Sequence, residues 1–237
     1  MIINELLQRQ LVWTPELAAA VRHAMKHTSL LRLPAKNRRK AAVLMPLCTV
    51  AGELGMLFTV RTDNVSTHKG QVSFPGGHVE PNETALQAAI RETDEEIPGL
   101  QATRKIEVLG SWHEAYAITG THVSVHVGKL PDDQEMKPLL PNLQVNHREV
   151  AAVFALPIRR MLDRRYTYYE NLAVKVSKAY QEPPADRAAR VPVFLGGPAR
   201  VWGLTAFIAH GFLHDVLVPA LAEVHGVAPL EVDSDRS

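Results

Sequence analysis

Glu92, Glu95 and Glu96 carry the clearest chemistry in this sequence. They stand at i, i+3 and i+4, so a helix would put all three carboxylates on one face within about a turn of each other. Like charges repel there, each pair costing about a few tenths of a kcal/mol on a bare helix unless a cation neutralises them. All-oxygen ligands suit Mg2+ or Mn2+, which take a few carboxylates and complete their shells with water and substrate phosphate. Upstream stand a glycine turn, Phe74-Pro75-Gly76-Gly77, then Glu83 and Arg91. Arg91 is two turns from Glu83, close enough in phase for the two to pair.

From Gly77 five residues lead to Glu83, seven more to Arg91-Glu92, and two more to Glu95-Glu96. This register resembles the Nudix box, G-x5-E-x7-R-E-U-x-E-E-x-G-U, in which U is a bulky apolar residue. Thr93 departs from it at an apolar position, and Pro98 takes the place of the last glycine, with Gly99-Leu100 following one position late. The resemblance implies an α/β Nudix fold, an α/β/α sandwich with a mixed β-sheet. It implies that Glu92 and Glu96 hold the ion, with Glu95 a further ligand and the Gly76 carbonyl joining them. Gly77, Glu83 and Arg91 would be structural in the motif. Water would attack a diphosphate, with a box glutamate such as Glu95 or Glu96, or a loop glutamate, as base.

A second stretch narrows the substrate. Leu57-Phe58-Thr59-Val60-Arg61, then His68-Lys69-Gly70-Gln71-Val72-Ser73, runs directly into the glycines. It resembles the L-L-T-x-R-S and H-x-G-Q-V-S-F-P-G-G motif of the Nudix hydrolases that split coenzyme A. Phe58 replaces a leucine, Thr62 a serine, and Ser66 stands where arginine is common, which removes one positive charge. Arg61, His68, Lys69 and Gln71 are therefore the candidate substrate-binding residues, and Arg and Lys suit phosphate oxygens. Arg61, His68 and Lys69 are the donors expected near the 3′-phosphate of coenzyme A.

Further along, Asn146 and Glu149-Val150 before an apolar strand, and Trp202-Gly203-Leu204-Thr205-Ala206, resemble later elements of the same branch, the latter opening a last helix. Resemblance thus spans residues 41–218. Glu149 leads the candidates outside the box for ordering a water or a second metal, ahead of Glu114 and Glu170. The implied reaction is metal-dependent hydrolysis of coenzyme A to 3′,5′-ADP and 4′-phosphopantetheine, and acyl thioesters of coenzyme A would also fit if the thiol end points to solvent. A Nudix hydrolase of ADP-ribose or a dinucleotide, and a non-catalytic Nudix binding module, stay open.

The elements that must position these residues are legible in outline. Thr14 caps a helix begun by Pro15 and Glu16. Apolar runs at 41–50 and 54–60 around Ala51-Gly52-Glu53 predict a β-hairpin. Asn82 is expected to cap the box helix, which starts near Glu83 and ends at Pro98-Gly99. Strands follow at 105–112, 121–129, 151–157 and 165–172, with His122 and His126 on an open face of the second and Tyr166, Tyr168 and Tyr169 on the last. His210 and His214 lie one turn apart but lack the H-E-x-x-H pattern of a zinc site. The domains expected are a helical extension over 1–40, the Nudix domain over 41–224 and a tail over 225–237.

Composition bounds the rest. The chain has 237 residues, and its net charge of +1 calls for no nucleic acid or anionic membrane as partner. A small molecule is the expected partner, and oligomeric state is not readable. Cys48 is the single cysteine, which excludes an intrachain disulfide and suits a reducing compartment, either mitochondrial matrix or cytoplasm. The first 40 residues are basic, yet fit a mitochondrial presequence only weakly. No run of about 18 apolar residues is present, so no membrane span is expected.

Overall fold

The computed structural model describes residues 2–28, 39–62, 70–117, 120–131, 143–172 and 189–227. Two N-terminal helices, α1 (Ile2–Leu6) and α2 (Pro15–His27), precede the hairpin of β1 (Lys40–Val50) and β2 (Glu53–Arg61). Ala51 and Gly52 both take positive φ, 54° and 80°. Two such residues in succession give the turn twist that a tight hairpin needs.

β1 and β2 pair only from Leu47↔Met56 to Val50↔Glu53, and then part. Into the fork enter two short strands, β3 (Val72–Ser73) on the β2 edge and β4 (Gly76–His78) on the β1 edge. Leu44 N–H donates to the Pro75 carbonyl at 2.9 Å, at the floor of the fork. Pro46 sits at the same place. By the two-residue period its nitrogen faces the fork as that of Leu44 does, so its missing donor breaks no ladder bond. The sequence thereby opens the sheet where the glycine loop has to enter.

β6 (His122–Lys129) runs parallel to β1, and every other pairing in this sheet is antiparallel, including β5 (Glu107–Tyr116) on β6 and β7 (Val150–Pro157) on β2. The sheet is mixed, as expected. Its two faces divide the core. Ala42 and Leu44 of β1 meet Ala88 and Ala89 of α3 (Ala85–Glu96) on one face. Met45 and Leu47 turn to the other face, where the larger cluster includes Leu17 and Val21 of α2, and Phe212 and Leu221. The architecture is an α/β/α sandwich. Leu6 and Leu11 lie fully buried in that larger cluster, and Arg159 donates to the carbonyls of Leu7 and Arg9 and to the Glu53 carboxylate. The helical extension thus packs as part of the same core as the sheet.

A 3-10 turn (Pro98–Leu100) ends α3 and leads to α4 (Ala102–Lys105); α5 (Ile158–Leu162) follows β7. A separate two-stranded sheet, β8 (Thr167–Leu172) with β9 (Ala189–Phe194), precedes the final helix α6 (Gly203–His225), which contains a π turn at Leu213–Leu217. The Trp202-to-Ala206 segment does open this helix, and Thr205 hydroxyl donates to the Val72 carbonyl at 3.1 Å, tying it to β3. Counting apolar residues missed one property of α6. An 18-residue window within it has a mean hydropathy of 1.5, which by length and composition would suffice to cross a membrane; 56% of that window is buried inside the protein. His210, His214 and Asp215 interrupt the apolar run without lowering its average enough, and packing on α2 accounts for its character.

The second β6 histidine is not on an open face. His126 is 5% exposed, and its Nδ1 lies 2.9 Å from the hydroxyl of its cross-strand partner Ser111. His122 lies 3.2 Å from Glu114.

Candidate active site

The box helix begins later than the spacing predicts. Asn82 takes a left-handed conformation (φ 71°) in the turn, and Thr84 is the cap, with Gln87 completing a reciprocal capping box. Glu83 therefore stands outside the helix. Its carboxylate accepts the Glu80 N–H at 2.7 Å and receives Arg91 in a bidentate fork, at 2.8 and 3.2 Å. These donors hold the Glu83 carboxyl below the usual carboxylate range, Arg91 contributing most. Arg91 also donates to the His78 carbonyl at 3.1 Å. One guanidinium therefore ties loop, β4 and helix together. Thr93, at the position where an apolar residue was expected, is fully buried and satisfies its hydroxyl on the Ala89 carbonyl at 2.6 Å.

The three box glutamates do not converge. Arg91 reaches Glu95, its i+4 neighbour, at 3.2 Å and holds it outward, with 54% of the side chain exposed. Glu96 is turned inward, 3% exposed, and Glu92 is mostly covered. Among the described residues no group of three His, Cys, Asp or Glu side chains stands together as a ready metal cage. Arg91 Nη1 lies 3.1 Å from Glu92 and 3.2 Å from Glu95, so one guanidinium engages both of those carboxylates while Glu96 faces Arg61.

Glu92 and Glu149 lie near enough to Glu96 to act on its charge, as Glu95 and Glu149 do on Glu92, without closing into a cage. Asn146 N–H donates to the Glu96 carbonyl at 2.9 Å, Thr62 N–H to the Glu149 carbonyl at 2.9 Å, and Thr62 hydroxyl to the Arg148 carbonyl at 2.9 Å. These bonds dock the 146–149 turn between the end of α3 and the end of β2. Burial, first of all, raises the Glu96 carboxyl to about 8; Arg61 opposes this, Glu92 adds to it, the Gly76 N–H opposes it, and Glu149 adds to it. Glu92 is also raised, chiefly by burial, with Glu95 and Glu149 contributing and Arg91 opposing.

The glycines fit the same cluster. A methyl group at Gly77 would fall 2.6 Å from a Glu92 carboxylate oxygen, so that carboxylate is seated on bare backbone. At Gly76 (φ 151°) a side chain would run into the Ala42 carbonyl oxygen and come within 2.7 Å of the Val43 Cα. Glycine is required at Gly76 by both its conformation and its neighbours.

The residues present suit a hard divalent cation. Glu96 Oε2 is buried with no hydrogen-bond partner among the described residues. Leaving a carboxylate oxygen dry and unpaired is costly, and two further acids stand near enough to disfavour its ionisation. An oxygen-seeking ion relieves all three costs together.

Of the upstream motif, Arg61 Nη1 lies 3.8 Å from Glu96 Oε1. Its expected task at the 3′-phosphate does not follow from that position; it faces the carboxylates, because a register shift in the β2–β7 pairing falls between Val60 and Arg61 and such a bulge re-aims the side chain. Gln71 pairs through its carbonyl with the Arg61 N–H at 3.0 Å. His68 and Lys69 lie outside the described residues. Glu114 and Glu170 are engaged elsewhere, Glu114 beside His122 and Glu170 with Arg200 and Tyr168 at 2.9 and 3.0 Å. Tyr169 hydroxyl is 2.8 Å from His210 Nε2, so that tyrosine packs against α6.

Residues 38–169, more than half the chain, match the family profile of the NUDIX domain. This chain belongs to the Nudix family. Its curated Nudix relatives include the mitochondrial coenzyme A diphosphatase NUDT8 of Homo sapiens, 38% identical over 184 residues, spanning 76% of this chain and 70% of the relative. The protein of that name in Mus musculus is 36% identical over 186 residues, covering 76% of this chain and 80% of the relative. Nudix hydrolase 3 of Caenorhabditis elegans is 31% identical over 215 residues, 82% and 84% of the two chains.

Proposed function

We propose that this Nudix enzyme hydrolyses the diphosphate of coenzyme A, with Mg2+ or Mn2+, to 3′,5′-ADP and 4′-phosphopantetheine. One observation carries the reading: Arg61, from the stretch that resembles the coenzyme A motif, lies against Glu96 of the box, so both motifs belong to one site. The names of the human and mouse relatives support the same substrate. They also support an intracellular setting, mitochondrial or cytoplasmic.

Glu92 and Glu96 would hold the ion, with the Gly76 carbonyl, and with Glu95 once it leaves Arg91. A divalent ion there supplies positive charge to the diphosphate oxygens and to the developing charge on the leaving phosphate. The protein's own part is to orient. Arg91, Glu83 and Gly77 fix the loop against the helix, and Glu149 would take a proton from the attacking water, a role supported by the docking of the 146–149 turn on the end of α3 and by its influence on Glu92 and Glu96. Arg61 presents a planar donor pair to phosphate oxygens.

The test is kcat/KM for coenzyme A, dephospho-coenzyme A and ADP-ribose under one Mg2+ concentration. Coenzyme A is expected to exceed ADP-ribose by about tenfold or more, as a charge-assisted phosphate contact would give. ADP-ribose as the better substrate would move the enzyme to another Nudix branch.

A further inference from the structure

The site holds two arginine–glutamate pairs of opposite character. Arg91 and Glu83 are saturated: two short bonds in a fork, plus a third to the His78 carbonyl. Arg61 and Glu96 are not. Their closest approach is 3.8 Å, Arg61 Nε is buried with no hydrogen-bond partner among the described residues, and so is Glu96 Oε2. A paired guanidinium and carboxylate ordinarily close to about 2.7–2.9 Å. Here each leaves a donor or acceptor dry.

The backbone of Arg61 is meanwhile fixed on both edges. Its N–H donates to the Gln71 carbonyl at 3.0 Å, its carbonyl accepts the Gly70 N–H at 3.2 Å, and the bulge against β7 aims the side chain at the end of α3. Only the side chain is free to exchange partners. With Glu92 and Glu149 also near Glu96, and Arg91 held on Glu83 and Glu92, Arg61 is the loosely seated cation of this group of acids among the described residues.

We propose that Arg61 is the stand-in cation of the metal-free site, lying against Glu96 until a divalent ion takes that place and turns the guanidinium towards the substrate's phosphate. The proposal rests on the metal reading above and adds an order of events: the ion enters against Arg61, and Arg61 becomes a phosphate donor only afterwards. A fixed positive charge beside Glu96 opposes the arriving ion, so its removal should tighten binding of the metal alone.

The test is Mn2+ binding to the full chain without substrate, read from the loss of the free-ion electron paramagnetic resonance signal. Arg61→Met should bind Mn2+ about tenfold more tightly than the wild type, the size of a like-charge repulsion at a wet site, while kcat/KM for coenzyme A falls. Arg61→Lys, which keeps the charge, should stay near wild-type affinity. Arg61→Gln replaces the Met variant if the latter fails to fold. Equal or weaker Mn2+ binding by the neutral variants, including none by any of them, overturns the exchange. Wild-type turnover, measured on the same samples, separates the two readings. Hydrolysis of coenzyme A without tighter Mn2+ binding by the variants refutes the exchange alone, and tighter binding without hydrolysis refutes the substrate alone.

Discussion

Glu96→Gln is expected to lower kcat for coenzyme A roughly a hundred- to a thousandfold while making the metal-free protein more stable. Glutamine keeps the volume and loses the charge that would hold the ion, and with it several kcal/mol of transition-state stabilisation, by order of magnitude about 3–4. The stability change has a definite sign. Glu96 is almost wholly buried, and its carboxyl is raised from 4.5 to about 8, with burial the largest cause. Between those values the folded chain holds a proton on Glu96 that the unfolded chain releases, so the contribution of this group to wild-type stability is fully kept below pH 4.5 and is lost as pH rises to about 8. The neutral glutamine has no such loss. In EDTA the variant should therefore match the wild type near pH 4.5 and exceed it by about a few kcal/mol near pH 8.5. Urea titrations of both proteins at the two pH values check this, and a difference between variant and wild type that does not change with pH would mean that Glu96 is not buried as described.

Two adjacent glycines should fail in different ways. Gly76→Ala sets a methyl group against the Ala42 carbonyl and the Val43 Cα, at φ 151°, on a strand zipped to β1 from Ala41↔His78 to Val43↔Gly76. Backbone on both sides leaves nothing to yield, and the loss of stability should be about 3–5 kcal/mol, among the larger values for single substitutions. Gly77→Ala meets only the far end of Glu92. That side chain can swing away, so stability should fall by about 1 kcal/mol or less, but the displaced carboxylate no longer faces the ion. Activity should drop roughly a hundredfold. A melting curve and a turnover assay on each variant separate the cases. Full activity in the Gly77 variant would show that the Glu92 seat is dispensable.

Several of these details were open to reading from the chain, and others could not have been. The Glu83–Arg91 pair was legible from the spacing, although Glu83 stands outside the helix and reaches Arg91 from the turn before it, and the β1–β2 turn was legible from Ala51-Gly52. Asn82 misled because asparagine serves equally as a helix cap and as a left-handed turn residue; Thr84 with Gln87 three residues on was the stronger signal. The i, i+3, i+4 spacing of the glutamates reports a shared face and is silent on rivals, and Arg91 is the neighbour that engages Glu92 and Glu95. Arg61 meets Glu96 only because β1 and β2 part and α3 crosses the opening, and Glu149 arrives through bonds from Thr62 and Asn146. Contacts between such distant positions leave no mark in local spacing.

Separation of the products after incubation with coenzyme A and Mg2+ tests the central claim most directly. 3′,5′-ADP and 4′-phosphopantetheine should form in equal amounts, with neither formed in EDTA. Coenzyme A left intact while ADP-ribose is split, or release of inorganic phosphate and dephospho-coenzyme A, would contradict it.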